Sequence, residues 1–320
     1  MMIFNYLLLI VGFALLIKGA DWLVDGASSI AKKLNISAIV IGLTVVAFGT
    51  SAPELVVNIL ASAKGTTDLA IGNILGSNIA NILLILGISA AIFPLTIKKN
   101  TVYKEIPLTI LAVLILGFMV NDQFLDHTKA SVLSRGDGFI LTVFFALFLY
   151  YTYSISKNKS EDESKSIKEY KTGLSWLMLI GGIIGLTLGG KWIVDSAVSI
   201  ANSLGASEAL IGLTIVAVGT SLPELATSGV AAYKKHTDIA VGNIVGSNIF
   251  NIFWVLGLSA IIKPLPFSPA LNFDILVVGV ASVMLLLSLY IGRRHVLQRR
   301  EAVLFLLLYI AYIVFLIYRG

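Results

Sequence analysis

The chain of 320 residues has no cysteine and little charge, with only 13% of its residues Asp, Glu, Lys or Arg. The lack of cysteine excludes disulfides, thiol catalysis and cysteine-based metal sites. Three histidines, His127, His236 and His295, are too widely separated to form a metal-binding motif. A soluble domain carries about twice this share of charge, so we do not expect a soluble fold.

Motifs typical of enzymes are absent as well. The sequence contains no phosphate-binding loop, catalytic triad or metalloprotease motif, so we expect neither an enzyme nor a bound cofactor. The formal net charge of +5 does not indicate a nucleic-acid partner. The basic residues lie between apolar segments, where they determine membrane topology.

Long apolar segments recur along the whole chain, which is 57% hydrophobic and has a mean hydropathy of +0.93. About 20 apolar residues span a bilayer core, and ten segments near this length or longer are present. They cover residues 3–30, 37–63, 69–97, 106–120, 138–156, 173–201, 207–233, 239–262, 271–291 and 302–318. We predict an all-α membrane protein with ten transmembrane helices, of which the longer ones must tilt, bend or break.

Lysine and arginine are distributed unevenly between alternate loops. If the N-terminus is outside, the inner loops carry 16 of them and the outer segments 5. Because cytoplasmic loops are enriched in positive charge, we predict that both termini lie outside the cell (cytoplasmic) membrane. The one sizeable polar linker, residues 157–172, is then cytoplasmic and joins two halves, residues 1–156 and 173–320.

The two halves repeat each other at a constant offset of 170 residues. GLTVVAFGTSAPEL at 42–55 aligns with GLTIVAVGTSLPEL at 212–225. DLAIGNILGSNIANI at 68–82 aligns with DIAVGNIVGSNIFNI at 238–252, matching at 11 of 15 positions without a gap. Each half holds five predicted spans, and an odd number inserts the second half upside down. The sequence therefore predicts two inverted five-helix repeats, an arrangement that commonly places a substrate site near the bilayer midplane.

Each half contains one glutamate flanked by helix-breaking residues. Gly49 and Pro53 flank Glu54, and Gly219 and Pro223 flank Glu224. Proline removes a backbone donor and clashes with the preceding turn. We therefore expect a helix break in each half that leaves carbonyls around Ala47 and Ala217 without helical partners. Within a membrane such carbonyls survive only where they line protein or a cavity.

The two glutamates are the predicted centre of a cation site. An ionised side chain at the bilayer centre costs about 3 kcal/mol or more, and intramembrane acids usually mark a transport path. The alternative is a protonated glutamate that hydrogen-bonds a neighbouring helix. Neutral oxygen donors surround the glutamates in the sequence: Thr50, Ser51, Ser77, Asn81, Thr220, Ser221, Ser247 and Asn251. Such an all-oxygen set suits a hard cation such as Ca²⁺, which takes 6–8 oxygen ligands.

The duplicated motifs GTS-x-PE and GN-x-x-GSN-x-x-N resemble the alpha-repeats of the sodium/calcium exchanger family, in its prokaryotic form without a large regulatory loop. The resemblance covers all ten predicted spans and is most specific in spans 2, 3, 7 and 8. It implies that these four helices are broken around a midplane cation site, while the long helices 1 and 6 slide across them. It also implies an alternating-access antiporter that exchanges three Na⁺ for one Ca²⁺.

The same resemblance implies a set of ion ligands. It places Ca²⁺ on the carboxylates of Glu54 and Glu224 and on the backbone oxygens of Thr50 and Thr220. It places Na⁺ on the same glutamates with two further donor sets, which are Ala47, Thr50, Ser51 and Ser247, and symmetrically Ala217, Thr220, Ser221 and Ser77. We expect Ca²⁺ and Na⁺ to be the transported ions and the protein to function as a monomer.

Two positions bear on the coupling ion. Aspartate at a position matching Asn81 or Asn251 accompanies K⁺ dependence in the K⁺-coupled branch of the family. Both are asparagine in this chain, which disfavours K⁺ co-transport. The H⁺/Ca²⁺ branch usually has Gly-Asn-x-x-Glu where this chain has Gly-Thr-Ser-x-Pro-Glu. Exchange coupled to H⁺ or K⁺ remains the nearer alternative, and a passive cation channel lined by the two glutamates the more distant one.

Two further pairs of charged residues lie on the first helix of each half. Lys18 and Asp21 are three residues apart, and Lys191 and Asp195 are four apart. Both spacings bring the side chains to one helix face. We expect each pair to form a local ion pair near a membrane interface.

Overall fold

The computed structural model describes residues 2–64, 67–125, 130–156, 168–203, 217–291 and 293–319. Apart from four two-residue strands, the regular structure of these residues is helical. Within them, eight helices are long and apolar enough to cross a membrane, and one bent pair of helices makes a ninth crossing by the same measure. The prediction of an all-α, multi-pass membrane protein is confirmed at this level.

In the first half the described residues form eight helices, several of which include π-helical turns. They are α1 (Met2–Leu34), α2 (Ala38–Thr50), α3 (Ala52–Lys64), α4 (Thr67–Ile79), α5 (Leu86–Ile92), α6 (Thr101–Met119), α7 (Asp122–Leu125) and α8 (Arg135–Ser156). The π-helical turns are Gly42–Val46 within α2, Ala80–Ile85 between α4 and α5, and Thr101–Glu105 at the start of α6.

The second half follows the same order. Its helices are α9 (Thr172–Ser203), α10 (Ala217–Gly219), α11 (Leu222–Tyr233), α12 (Thr237–Phe250), α13 (Gly257–Ile262), α14 (Asn272–Ser288) and α15 (Arg299–Arg319). A π-helical turn, Asn251–Leu256, joins α12 to α13, and a 3₁₀ turn, Pro269–Leu271, precedes α14. The predicted span 207–233 is described only from Ala217 onward.

The third span ends earlier than the hydropathy predicts, and the eighth span ends where it predicts. The two ends have the same cause. Phe93 and Lys263 follow the last helical residues and adopt nearly identical extended conformations, with φ −146° and ψ 127° and φ −147° and ψ 126°. Each precedes a proline, Pro94 or Pro264. The proline ring disfavours helical geometry at the residue before it, so both helices stop there.

Regular helical geometry is interrupted two residues before each of the two prolines, at Ser51 and at Ser221. In the second span, α2 and α3 are bent by 46° at Ser51, whose φ of −83° and ψ of 6° leave the helical region. Ser221 separates α10 from α11 with φ −88° and ψ 5°. The third and eighth spans are instead continuous helices that widen into a π-helical turn, because glycine and asparagine without proline do not remove a backbone donor.

The helices α1 and α9 are the longest in the molecule, with 33 and 32 residues. At 1.5 Å per residue each is about 50 Å long, so it must tilt to fit a bilayer core of about 30 Å. They pack closely against each other through glycines. A Cβ atom at Gly19 would lie 2.8 Å from the backbone nitrogen of Leu186, and one at Gly182 would lie 2.6 Å from that of Leu23.

The centre of the molecule is formed by the third and eighth spans. In the apolar window of the third span 78% of the residues are buried, and in that of the eighth span 83%, against 17% for α15. The asparagine-rich motifs lie in the helix before the π-helical turn of each span and in the first residues of that turn. The motifs therefore lie in the core, where polar side chains must be satisfied by one another or by a ligand.

Four short strands connect the loops of the two halves. Strand β1 (Leu95–Thr96) pairs antiparallel with β4 (Val296–Leu297), and β2 (Val132–Leu133) pairs antiparallel with β3 (Leu265–Pro266). The loop after the third span thus pairs with the loop before the tenth. The loop before the fifth span pairs with the loop after the eighth.

Candidate cation site

Two buried carboxylates stand at the starts of equivalent helices. Glu54 lies in the first turn of α3 and Glu224 in the first turn of α11. Their exposed fractions are 0% and 1%. The helix break that precedes each glutamate brings the unbonded N–H groups of a helix N-terminus to the middle of the protein. These groups, together with the helix dipole, favour a negative charge at that point.

Hydroxyl groups of both halves contact the two glutamates. Ser51 donates from Oγ to Oε1 of Glu224 at 3.0 Å, although the two residues belong to different halves. Ser247 donates to the same oxygen at 3.5 Å, and Ser77 donates to Oε1 of Glu54 at 3.5 Å. The structure therefore joins the glutamates and three of the predicted serines in one buried cluster.

One oxygen of each glutamate is without a hydrogen-bond partner. Among the described residues, Oε2 of Glu54 and Oε2 of Glu224 are buried and accept no hydrogen bond, and Oγ of Ser221 is also unpartnered. Buried polar atoms in proteins are almost always paired with protein, water or a ligand. Unpaired carboxylate oxygens at this depth are therefore suited to a cation.

The two threonines of the site hydrogen-bond asparagines of the opposite half. Oγ1 of Thr50 donates to Oδ1 of Asn243 at 3.0 Å, and Oγ1 of Thr220 donates to Oδ1 of Asn73 at 3.4 Å. Oγ1 of Thr50 also lies 3.3 Å from the carbonyl oxygen of Ala47. Both threonine hydroxyls are therefore engaged in bonds that join the two halves.

The prediction of an unbonded carbonyl at Ala47 is wrong. The backbone N–H of Ser51 donates to the Ala47 oxygen at 3.0 Å. The physical reason is the spacing of the proline, since a proline removes the N–H that would bond the carbonyl four residues earlier. For Pro53 that carbonyl belongs to Gly49, not to Ala47.

The equivalent alanine, Ala217, is the first residue of α10. Residues 204–216 and the Ala217 side chain lie outside the described part of the chain. In this half the N–H of Ser221 donates to the carbonyl of Val218 at 3.1 Å. By the same spacing, Pro223 leaves the carbonyl of Gly219 without its helical donor.

The predicted asparagines, Asn81 and Asn251, belong to a buried network of four. Nδ2 of Asn81 donates to Oδ1 of Asn248 at 2.9 Å, and Nδ2 of Asn251 donates to Oδ1 of Asn78 at 3.0 Å. Within the described chain, the Oδ1 atoms of Asn81 and Asn251 are buried and have no hydrogen-bond partner. The network therefore leaves two amide oxygens available.

The sequence reasoning missed Asn78 and Asn248, as well as Asn73 and Asn243. All four lie within the duplicated GN-x-x-GSN-x-x-N motif, which carries three asparagines in each half. All three asparagines recur in both halves, and this repetition indicated that each has a structural or functional role. Spacing along one helix could not reveal it, because the hydrogen bonds in question cross between halves.

The site contains two carboxylates and otherwise only neutral oxygen and amide groups. Across the described residues, no group of three or more His, Cys, Asp or Glu side chains comes together. Oxygen ligands without nitrogen or sulfur are those that hard cations such as Ca²⁺ and Na⁺ prefer. Fold and site together define a helical membrane protein with a buried, acidic, oxygen-lined cluster of a kind that suits a cation.

Comparison with known proteins agrees with this class. The sequence profile of the family described as "Sodium/calcium exchanger protein" matches residues 4–154 and 174–318. The putative antiporter CaxA of Alkalimonas amylolytica is 40% identical over 313 residues, which cover 95% of each chain. The sodium/calcium exchanger MaX1 of Methanosarcina acetivorans is 34% identical over 348 residues, which cover 98% of this chain and 99% of that one.

A solved structure is also similar over almost the whole chain. The sodium-calcium exchanger NCX_Mj, soaked with Na⁺, superposes with a TM-score of 0.85 at 35% identity, covering 98% of this chain and 99% of that chain. The chain belongs to the sodium/calcium exchanger family, whose members are transporters and not enzymes.

Proposed function

We propose that the protein is a secondary antiporter that exchanges Na⁺ for Ca²⁺ by alternating access, with Glu54 and Glu224 as the carboxylates that both ions share. The observation that carries the proposal is the pair of buried glutamates, one from each half. Each is held through Oε1 by serine hydroxyls, and each has an unpartnered Oε2. A site built this way is incomplete without a cation.

The charge of the site fits the exchange of one divalent ion for several monovalent ions. Two ionised glutamates carry a charge of −2, so one Ca²⁺ neutralises them. Three Na⁺ leave a charge of +1, so each cycle moves net charge across the membrane. Every elementary charge is worth roughly 2.3 kcal/mol per 100 mV, and the membrane potential therefore contributes to Ca²⁺ extrusion.

The remaining ligands follow the family pattern. Ca²⁺ would bind the two carboxylates and the backbone oxygens of Thr50 and Thr220, whose hydroxyls are engaged by asparagines. Na⁺ would use the two symmetric donor sets that the sequence predicts, which are Ala47, Thr50, Ser51 and Ser247, and Ala217, Thr220, Ser221 and Ser77. In the structure the carbonyl of Ala47 accepts the N–H of Ser51 and lies 3.3 Å from the hydroxyl of Thr50, so Na⁺ bound there would take the place of the threonine hydroxyl.

We also propose that the fold is an inverted repeat of two five-helix halves, residues 1–156 and 173–320, with residues 157–172 as the cytoplasmic linker. The strand pairs support this proposal. The loops on either side of α6 lie at opposite ends of that span, and β1 and β2 belong to them. Because β4 pairs with β1 and β3 with β2, the equivalent strands β1 and β3 lie on opposite sides.

The orientation proposed is that of both termini outside the cell membrane, with a monomer as the functional unit. The lysine and arginine distribution supports it, with 16 on the inner side and 5 on the outer side. In this orientation the C-terminal end of α1 and the linker are cytoplasmic. The β1–β4 pair is cytoplasmic as well, and the β2–β3 pair is external.

Obligatory exchange follows from the burial of the site. An empty site would retain two negative charges without a counter-charge in a low-dielectric interior, and such a state is strongly disfavoured. We therefore expect the empty carrier not to return. Rapid loss of Ca²⁺ from loaded vesicles with no Na⁺ or Ca²⁺ on the other side would contradict strict antiport and favour a channel.

Transport in proteoliposomes tests the coupling ion. Purified protein is reconstituted into vesicles loaded with Na⁺, with K⁺ or at acidic internal pH, and Ca²⁺ uptake is followed in each. We expect uptake only with an outward Na⁺ gradient, and faster uptake when the interior is made positive, because three Na⁺ leave for each Ca²⁺ that enters. Uptake driven by a proton gradient and indifferent to Na⁺ would refute the proposed coupling.

Neutralising the carboxylates tests the site. We expect Glu54→Gln and Glu224→Gln each to abolish exchange, because one remaining negative charge cannot balance Ca²⁺. Glu105→Gln is the matched control, since Glu105 is also a buried carboxylate but contacts Tyr151 instead of the site. Full exchange in either site variant would show that ions bind elsewhere.

A further inference from the structure

Four buried asparagines of the third and eighth spans, Asn78, Asn81, Asn248 and Asn251, form an ordered chain of hydrogen bonds. Asn78 stands in its middle. Its Nδ2 donates to the backbone carbonyl of Asn248 at 3.3 Å, and its Oδ1 accepts from Nδ2 of Asn251 at 3.0 Å. These side chains are 0–1% exposed, so water does not compete for the bonds.

The backbone carbonyl of Asn248 determines which end of each amide in this chain donates and which end accepts. A carbonyl oxygen can only accept a hydrogen bond, so the part of the Asn78 amide that faces Asn248 must be its NH₂ group. Its oxygen then faces Asn251. Asn251 must present its own NH₂ group to that oxygen, which turns the Oδ1 atom of Asn251 away from Asn78.

The other half has an equivalent contact. Oδ1 of Asn248 accepts from Nδ2 of Asn81 at 2.9 Å. This bond holds the amide of Asn81 with its NH₂ group toward Asn248 and its oxygen facing away from Asn248. Both outer oxygens, Oδ1 of Asn81 and Oδ1 of Asn251, are buried and have no hydrogen-bond partner within the described residues.

The residue spacing places these two asparagines on the ion-binding side of their helices. Asn81 is four residues after Ser77, and Asn251 is four residues after Ser247, so each pair shares one helix face. Ser77 contacts Glu54 and Ser247 contacts Glu224. An amide has an acceptor and a donor end, and only the acceptor end is attractive to a cation.

We propose that Asn78 and Asn248 are positioning residues that hold the amides of Asn251 and Asn81, respectively, with their oxygens toward the cation. Neither positioning residue needs to touch the ion. If its acceptor is removed, the partner amide can turn by 180° and present NH₂ groups to the site. This inference rests on the proposed cation exchange at Glu54 and Glu224.

The test replaces an asparagine by a side chain that presents oxygen to a cation in either orientation. A carboxylate presents oxygen at both ends, so Asn251→Asp makes the side chain at 251 independent of Asn78. We expect Asn78→Ala to raise the Ca²⁺ concentration for half-maximal exchange by about 10–100-fold, the range for losing a partner that orients a metal ligand. In the Asn251→Asp background the same Asn78→Ala change should raise it less than about threefold.

Crossed pairs provide the matched control. Asn248→Ala keeps the backbone carbonyl that Asn78 binds and removes the side-chain acceptor for Asn81, so its effect should be relieved by Asn81→Asp. Asn78→Ala combined with Asn81→Asp, and Asn248→Ala combined with Asn251→Asp, add the same charge but should keep the full 10–100-fold loss. Each change is measured against its own aspartate parent, which removes the effect of the added charge.

The outcomes separate this inference from the proposed function. If the unsubstituted protein does not exchange Na⁺ for Ca²⁺, the proposed function fails. If it does, but Asn78→Ala causes equal losses in all three backgrounds, the residue only stabilises the fold and the positioning role is refuted. Melting temperatures of the variants give a second measure. A positioning role predicts that background-dependent losses of affinity occur without parallel losses of stability.

Discussion

The C-terminal ends of α1 and α9 are equivalent in sequence but differ in their surroundings. From Val24 to Ala31, the end of α1 is buried except for Asp25. The matching residues of α9, 194–201, are mostly half-buried or exposed. Thus Ser29 is 0% exposed, whereas Ser199, its equivalent 170 residues later, is exposed.

The end of α1 is held by groups from two other parts of the chain. Lys234, which follows α11, lies 2.5 Å from Oδ1 of Asp21 and 2.6 Å from Oδ1 of Asp25. Tyr170 at the end of the linker donates from its hydroxyl to Asp25 at 3.1 Å. Partial burial opposes the charge of the ammonium, but the hydrogen bonds to the two aspartates outweigh it and raise the pKa of Lys234.

The end of α9 has a different charge pattern. Lys191 replaces the first aspartate at the equivalent position, and its contact is with Asp195 of the same helix at 3.6 Å. Both side chains are more than 60% exposed. The local pairs expected from the sequence, Lys18 with Asp21 and Lys191 with Asp195, are confirmed. The aspartates of α1 are bound in addition by Lys234, which lies outside that helix.

The difference shows how two similar halves can occupy different states. Helix α1 packs against α11, while within the described residues α9 makes no comparably close contact with the equivalent helix α3. In the proposed alternating-access cycle, this difference in packing corresponds to a state that is closed at the end of α1 and less tightly packed at the end of α9. The two long helices are joined through their glycines, so they would move together.

The largest effect is expected from disrupting the contact that joins α1 to α9. Gly182→Ala would place a Cβ atom 2.6 Å from the backbone of Leu23, and overpacking of this kind costs about 1–3 kcal/mol. We expect a lower melting temperature and little exchange. Gly173→Ala on the same helix is the control, because a Cβ atom there meets nothing within 4 Å. Equal stability of the two variants would contradict the proposed joint movement.

The next effect concerns the ion pairs at the end of α1. Lys234→Met removes a partly buried partner of two aspartates, which we expect to be worth about 1–2 kcal/mol, between exposed and buried pairs. The population open at this end should rise about 5–30-fold. Since the chain has no cysteine, Ser29→Cys and Ser199→Cys report the two ends separately by thiol labelling. Faster labelling at position 29 only is expected, whereas Lys191→Met should leave both rates nearly unchanged.

A smaller effect is expected from making the two ends alike. Lys191→Asp gives α9 the acidic pair of α1, and Lys64 is the sequence equivalent of Lys234. A new pair at the membrane interface contributes up to about 1 kcal/mol. Labelling of Ser199→Cys should therefore slow by a few-fold while that of Ser29→Cys rises. Unchanged labelling at both positions would show that charge does not determine the difference between the ends.

The smallest effect is expected from pH. A raised pKa means that the stabilisation by Lys234 is fully present below the ordinary lysine pKa of about 10.4 and is lost only as the pH rises through the higher value in the folded protein. Labelling at position 29 should therefore be constant from about pH 7 to 9, apart from the known titration of the thiol. A change within that range that disappears in Lys234→Met would contradict this assignment.

Much of the fold could be predicted because hydropathy records membrane burial directly. The ends of most spans agree with the helices to within a few residues, and the proline at 94 explains one that does not. Glu54 and Glu224 were found for the same reason, since an acid within an apolar segment is conspicuous. Whether they bind ions remains a prediction that transport measurements must test.

Other features were not accessible from one helix at a time. The expected breaks in the third and eighth spans are π-helical turns instead. The bonds from Asn78 to Asn251 and from Lys234 to Asp25 connect residues more than 170 positions apart, so no local pattern contains them.

By itself the sequence determined the membrane class, the duplication, the two acidic residues and the chemistry of their neighbours, because apolar periodicity and repeated motifs are local properties of the chain. Only the tertiary structure decided which oxygens are occupied, which amide ends face the site and which long helix is held by Lys234. Hydrogen bonds and ion pairs are directional and short, so they depend on how the two halves dock. Two nearly identical motifs can therefore meet different partners in one molecule.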